Sequence, residues 1–193
     1  MADGTLKVGT ITTSSGSGTI TIGQSGETIT IPSGVSQSGL GITEADQWRL
    51  TTNITSDVNP IASNLERVDD ASFSKIGTGM SVSSGTWTFP STGLYFVKFK
   101  MYGDAVADDN VVGKINTTTD NSSYDDNAFG IFCGDGSSTG SGTGVAEYFF
   151  NVTNTSTHKL QFQATSIASG GNLQGNSSYN LTNFTFIRLG DSQ

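Results

Sequence analysis

Ser84-Gly-Thr-Trp-Thr-Phe-Pro-Ser-Thr-Gly-Leu-Tyr-Phe-Val-Lys-Phe-Lys100 decides the fold class of this 193-residue chain. Trp87, Phe89, Tyr95, Val97 and Phe99 fall on odd positions. Thr86, Thr88, Lys98 and Lys100 fall on even ones, with Leu94 and Phe96 as exceptions. Side chains alternate sides along a strand, so this spacing describes strands with one buried face. Pro90 and Gly93 interrupt the pattern. Proline fixes φ and glycine accepts a positive φ, which makes a tight corner between two half-buried strands.

Outward from that corner the same period recurs. A strand is predicted to begin at Trp48, and Phe73 to Met80 reads as a short edge segment. Val111 to Ile115 and Ala128 to Cys133 follow, separated by an acidic loop. Gly134 to Gly144 reads as a long loop, and Val145 to Val152 as a strong strand. Asn154 to His158 turns that strand back into Lys159 to Ile167, and Leu181 to Leu189 closes the series. No segment carries a helical period. The count of about eight strands suits an all-β jelly-roll sandwich.

Composition limits the function classes. Hydrophobic residues make up 34% and charged residues 13%, with a formal net charge of −8. Glycine, serine, threonine and asparagine fill the rest, as expected for short strands joined by many turns. Nine Lys and Arg spread singly offer no basic face, so nucleic acid and anionic membrane are not expected partners. No apolar run approaches ~20 residues, so no membrane insertion is expected. The first residues, Met1-Ala-Asp-Gly-Thr-Leu-Lys7, lack the basic and apolar regions of a signal peptide. Synthesis in a cytoplasm is therefore expected. Cys133 is the only cysteine and reads as an inert buried thiol, which leaves no intrachain disulfide.

Residues 1–43 differ from residues 44–193. The first forty contain no aromatic residue, and they repeat a phrase: Gly9-Thr-Ile-Thr12, Gly18-Thr-Ile-Thr-Ile22 and Glu27-Thr-Ile-Thr-Ile31. Ile11, Ile20 and Ile29 are nine residues apart, and Ile22 and Ile31 extend two of the units. Each unit reads as a short strand that gains a core only by stacking on copies, within this chain or between chains. A flexible Gly/Ser/Thr linker is the plainer alternative. The repeat is similar to short repeats of bacteriophage fibre and appendage proteins.

The wording Trp87-x-Phe-Pro-x-x-Gly-x-Tyr-x-Val97, together with Phe129-Gly130 and Asn183-Phe-Thr-Phe-Ile-Arg-Leu189, resembles the C1q/TNF-like jelly roll. The resemblance covers residues from about 48 to 190. It implies a homotrimeric, non-enzymatic binding head whose apical loops take ligands, sometimes with calcium. It also implies that Trp87, Phe89, Tyr95, Phe184 and Phe186 lie in the core or near the trimer contact. No collagen stalk precedes the head; the isoleucine repeat stands in its place as a β-rich stem. That arrangement resembles a phage virion appendage, a capsid decoration or short fibre. The stem is then expected to hold other virion proteins, and the head to face a host glycan or protein at the virion surface. A polysaccharide depolymerase and a cellular C1q-like lectin are the contrasting readings.

No catalytic set stands out. His158, the only histidine, sits in a hairpin-turn composition, Thr155-Ser-Thr-His-Lys159. Calcium wants six to eight hard oxygens. The candidates are Asp104, Asp108, Asp109, Asp125 and Asp126, although their spacing is not that of an EF-hand. A solvated anionic rim is the competing reading, with no cofactor needed. Tyr102, Tyr124 and Tyr179 lie beside predicted loops and are candidates to touch a sugar or a protein.

Overall fold

The computed structural model describes residues 10–13, 18–30 and 41–193. The chain divides into two units, Met1–Ser38 and Gly39–Gln193. Among the described residues of the first unit no strand forms. A turn closes at Gln24 to Glu27, where the Glu27 amide donates to the Gln24 carbonyl at 3.0 Å. Ile11, Ile20, Ile22 and Ile29 are exposed in the single chain; Ile31 lies outside the described residues. Units this short have no second row of isoleucines within one chain to cover them.

The second unit is all-β, with strands β1(Ala45–Leu50), β2(Leu65–Arg67), β3(Ser81–Ser83), β4(Thr86–Thr88), β5(Gly93–Ala105) and β6(Asn110–Thr118). β7(Asp125–Cys133), β8(Gly140–Val152), β9(Lys159–Thr165), β10(Asn172–Leu173) and β11(Asn183–Gly190) complete it. Sheet I runs β10-β5-β11-β1-β2, with β8 on the other side of β5; sheet II runs β3-β4-β9-β6-β7. All the pairings are antiparallel, and the order is that of a jelly-roll sandwich.

Parity does what the opening stretch requires. β5 alternates buried and half-buried without a break across its length. Tyr95, Val97, Phe99 and Met101 point inward, and Trp87 and Phe89 meet them from the other side of the Pro90 corner. Phe99 stacks on Phe184 at 5.0 Å, Phe162 of sheet II meets Phe184 at 4.6 Å, and Trp87 meets Phe186 at 5.0 Å. The interior between the sheets is so close that a Cβ on Gly113 would overlap the Met101 sulfur. A Cβ on Gly130 would strike the Val145 and Ala146 backbone, so β7 and β8 abut where the two sheets meet.

Several expectations need correction. Residues 73–80 form no strand; one bridge, Ile76 to Ala45, precedes β3. β5 runs past Lys100 to Ala105 because β8 continues to pair with it, so Tyr102 and Asp104 lie on a strand. For the same reason residues 140–144 are strand, not loop. Eleven strands form among the described residues, the additional ones being only two or three residues long. Cys133 is exposed, because it is an outward position at the end of β7.

Irregular backbone between β2 and β3 is held by charge. Arg49 is fully buried and donates to Glu66 at 3.1 Å and Asp70 at 3.0 Å, and also bonds Asp69. Burial works against its charge, but the hydrogen bond and attraction of Glu66, with Asp69 and Asp70, raise its pKa above the ordinary value. Buried Asp46 accepts from Arg67, from the Trp48 indole at 2.9 Å and from the Met80 amide at 2.8 Å.

Phe162 touches aromatic rings from both sheets. Phe162→Ala is expected to lower the unfolding free energy by about 3–5 kcal/mol, read from urea denaturation followed by far-UV circular dichroism.

Candidate functional site

The outer face of sheet I carries the apolar residues that the inward pattern does not use. Phe96 lies in register between Phe149 of β8 and Ile187 of β11. The two phenylalanine rings are 5.5 Å apart, and Phe149 is 60% exposed. Leu94 lies in the next row, and Leu189 and Val145 are also exposed. Toward the middle of the face Lys98 pairs with Glu147 at 3.3 Å, and Gln47 donates to Thr185 at 3.0 Å. Beside Ile187 a groove of about 190 Å³ is bordered by Ala45, Gln47 and Phe73. Contiguous apolar side chains on an open sheet face mark a binding surface far more often than lone ones do.

Trp87, Phe89, Tyr95, Phe184 and Phe186 are all buried inside the sandwich of one chain. They form core, and none reaches a surface where another chain could touch it. Leu94 and Phe96, the two exceptions to alternation, point to the exposed face instead. Phe149 and Ile187 join them only through cross-strand register, a relation that spacing along one strand does not contain.

The five calcium candidates are not brought together. β6 and β7 are antiparallel, with Asn110 opposite Cys133 and Thr117 opposite Asp125. Asp108 and Asp109 precede β6 at one end, and Asp125 and Asp126 begin β7 at the other. Asp126 is bound by Lys114 at 2.6 Å. Asp104 accepts from Ser141 at 2.6 Å, Asn172 at 3.0 Å and Gln174 at 3.0 Å, which ties β5 to β8 and β10. Among the described residues no group of three or more acidic, histidine or cysteine side chains is placed to hold a metal ion. Asp108 and Asp109 border a surface concavity of about 400 Å³ with Asp57 and Asn110. Two further aspartates cap loops: Asp120 accepts the Ser122 and Ser123 amides, and Asp135 those of Ser137 and Ser138. Backbone donors that favour the charged form hold both carboxyls below the usual range.

His158 stacks on Phe150 at 5.7 Å, with Thr153 and Thr157 hydroxyls at its two ring nitrogens. Both ring-nitrogen partners are threonine hydroxyls rather than a carboxylate, and the residue sits in the β8–β9 turn. Tyr179 is exposed, whereas Tyr102 and Tyr124 are half-buried.

The outer face of sheet II is polar across β4, β9 and β6, with exposed Phe129 and Ile131 along β7. Thr86, Gln161 and Asn116 lie across β4, β9 and β6, with Gln163, Lys114 and Phe129 in the next row. Gln161 donates to Thr86 at 3.0 Å, and Asn116 donates to Gln163 at 3.3 Å.

No protein-family model and no curated protein matches the chain. Solved structures do. The structure of Eiger TNF from S. frugiperda superposes with a TM-score of 0.58 at 11% identity, covering 77% of this chain and 94% of that one. Murine APRIL at pH 5.0 gives 0.55 at 14% identity, covering 76% and 99%. Murine APRIL at pH 8.5 gives 0.53 at 12% identity, covering 76% and 98%. The fold is therefore a TNF/C1q-like jelly roll, as the Trp87-to-Val97 wording implies.

The Ser141 hydroxyl and the Asn172 amide favour the charged form of Asp104 and lower its pKa. A depressed folded-state pKa contributes stability above the unfolded value, near 3.9, that is lost as pH falls through the folded value. Asp104→Asn is therefore expected to lower the melting temperature at pH 7 and to converge on the wild type in strong acid. Thermal melts across that range check it.

Proposed function

We propose that this chain is a non-enzymatic structural and adhesive protein of a bacteriophage virion. It acts as a homotrimeric capsid decoration or short fibre that holds a jelly-roll head toward the host surface. The exposed apolar face around Phe96, Phe149 and Ile187 carries this reading. A monomer in water would leave that face wet. Three copies packed about an axis through it remove it from solvent, and side chains near the axis meet their own equivalents. The Lys98–Glu147 pair beside the apolar rows then lies at the rim, where charge sets register more than affinity.

The head's topology supports display. The chain enters the sandwich at Thr43, whose hydroxyl accepts from Arg188 at 3.1 Å. Arg188 also bonds Asp191 at 2.7 Å, and Gln193 bonds Asn151, so the C-terminus lies at that same end. The β5–β6 and β7–β8 loops stand at the opposite end of the strands. With sheet I packed on the axis, those loops and the outer face of sheet II face solvent. Trimerisation supplies avidity, so weak single contacts suffice for attachment.

The repeat of residues 1–43 supports a stem that gains strand structure on association. Its isoleucines are exposed in the single chain wherever they are described, as such a stem requires before assembly. The phage context rests on the similarity of that repeat to appendage repeats and on the stem standing where a collagen stalk would be.

Sedimentation equilibrium is expected to give about three times the 20.1 kDa chain mass. Phe96→Glu is expected to give a folded monomer, with the circular dichroism of the wild type. Gold-labelled antibody should decorate intact particles. A wild-type monomer removes the trimer, and reducing ends released from host polysaccharide would replace this reading with a depolymerase.

A further inference from the structure

The outer face of sheet II combines three features that its role as a sandwich wall does not need. Phe129 and Ile131 of β7 are 52% and 54% exposed, two residues apart on the same side of the strand. Lys114 stands 5.1 Å from the centre of the Phe129 ring and is fixed by Asp126, so the ring is held rather than free to fold away. Beside this apolar margin runs a lane of amides and hydroxyls: Thr86, Gln161, Asn116 and Gln163.

Asn116 is the informative member. It is only 5% exposed, yet its Oδ1 has no hydrogen-bond partner among the described residues. A buried carbonyl oxygen without a donor is unfavourable, and a missing donor is the group a ligand would bring. Lys114, Gln161 and Gln163 flank it and are half-buried. The long Gln161 and Gln163 side chains rotate aside to admit a ligand, while Lys114 stays on Asp126. The donor that fits is a neutral hydroxyl. The amides around it present donor and acceptor in one plane, which matches adjacent hydroxyls on a ring. The exposed ring and Ile131 match the C–H face of the same ring. A polyanion fits poorly: the chain carries a net charge of −8, and Lys114 already has a carboxylate partner.

We propose that this face binds a neutral polysaccharide, with pyranose rings seated on Phe129 and Ile131 and their hydroxyls directed to Gln161, Gln163 and Asn116. The assignment rests on the surface-attachment role proposed above and names its ligand class. It also moves the contact from the tyrosine-bearing loops to a sheet wall that a trimer built on sheet I leaves open.

The test uses the full chain, immobilised and probed with neutral polysaccharides (dextran, mannan, galactan and soluble cello- and chito-oligosaccharides) and with polyanions (alginate and heparin). Retention by at least one neutral glycan and by neither polyanion is expected. Phe129→Ala and Gln161→Ala are each expected to weaken that retention about tenfold, a loss within the range of a ring contact or hydrogen bond. Asp108→Asn, at the loops, should leave it unchanged. Circular dichroism confirms that each variant is folded. Absence of retention by every neutral glycan overturns the proposal, as does retention equal in wild type and both variants. A mass that falls on Phe129→Ala also overturns it, because the strip would then be a contact between copies. A trimer that binds no neutral glycan sinks this inference alone; a monomer that binds one through Phe129 sinks only the trimer.

Discussion

Everything in the head depends on the aromatic contact across the sandwich. Trp87 and Phe162 of sheet II interlock with Phe99, Phe184 and Phe186 of sheet I, at centroid separations from 4.6 to 6.0 Å. Such pairs bury large apolar areas and favour tilted or edge-on geometry. They leave no latitude in register, since a one-residue slip would turn each ring outward. The Trp87 indole nitrogen has no hydrogen-bond partner among the described residues, so the ring is kept for its shape and area against an unmet donor. Because the inward rows are satisfied within one chain, the outward rows and the loops are what the sandwich leaves open to other molecules.

Those outward rows are unlike each other. Sheet I presents phenylalanine, leucine and isoleucine around one lysine–glutamate pair. Sheet II presents threonine, glutamine and asparagine, with exposed Phe129 and Ile131 at its margin. The two walls of the sandwich thus differ in where their exposed apolar side chains lie, across the strands of sheet I and at the β7 margin of sheet II. Charge is used elsewhere, as staples for backbone without strand partners: Arg49 on Asp69 and Asp70, Asp46 on Arg67 and Met80, Asp120 and Asp135 on their own loops. A buried arginine ringed by carboxylates is a poor source of net stability but a strict definer of loop geometry.

The sandwich and its inward residues were legible because period-two alternation is local. Trp87, Phe89 and Tyr95 are identified as inward by position parity, and Phe184 and Phe186 as core through the resemblance of the last strand. The exposed face was half legible: Leu94 and Phe96 break the alternation visibly, but their neighbours Phe149 and Ile187 belong to strands far away in the chain. The extent of β5 and β8 was not legible, since glycine, serine and threonine at residues 140–144 carry turn propensity. Thirteen consecutive pairings with Gly93–Ala105 override it. The acidic residues misled for a related reason. Asp104, Asp108, Asp109, Asp125 and Asp126 are close in sequence, yet an antiparallel hairpin sends the last two to the far end. Cys133 followed apolar neighbours in composition but an outward position in parity.

The abutment at Gly130 has a further consequence. Unpaired strand edges are where β-proteins polymerise in an uncontrolled way. Here the long edge strands β7 and β8 close on each other, and the open edges, β2 and β3, are three residues each. The two edges share no ladder, so they are covered only by close approach, and a side chain at residue 130 would push them apart and uncover both. The missing Cβ at that position thus lets each long edge shield the other from strand addition by a further copy.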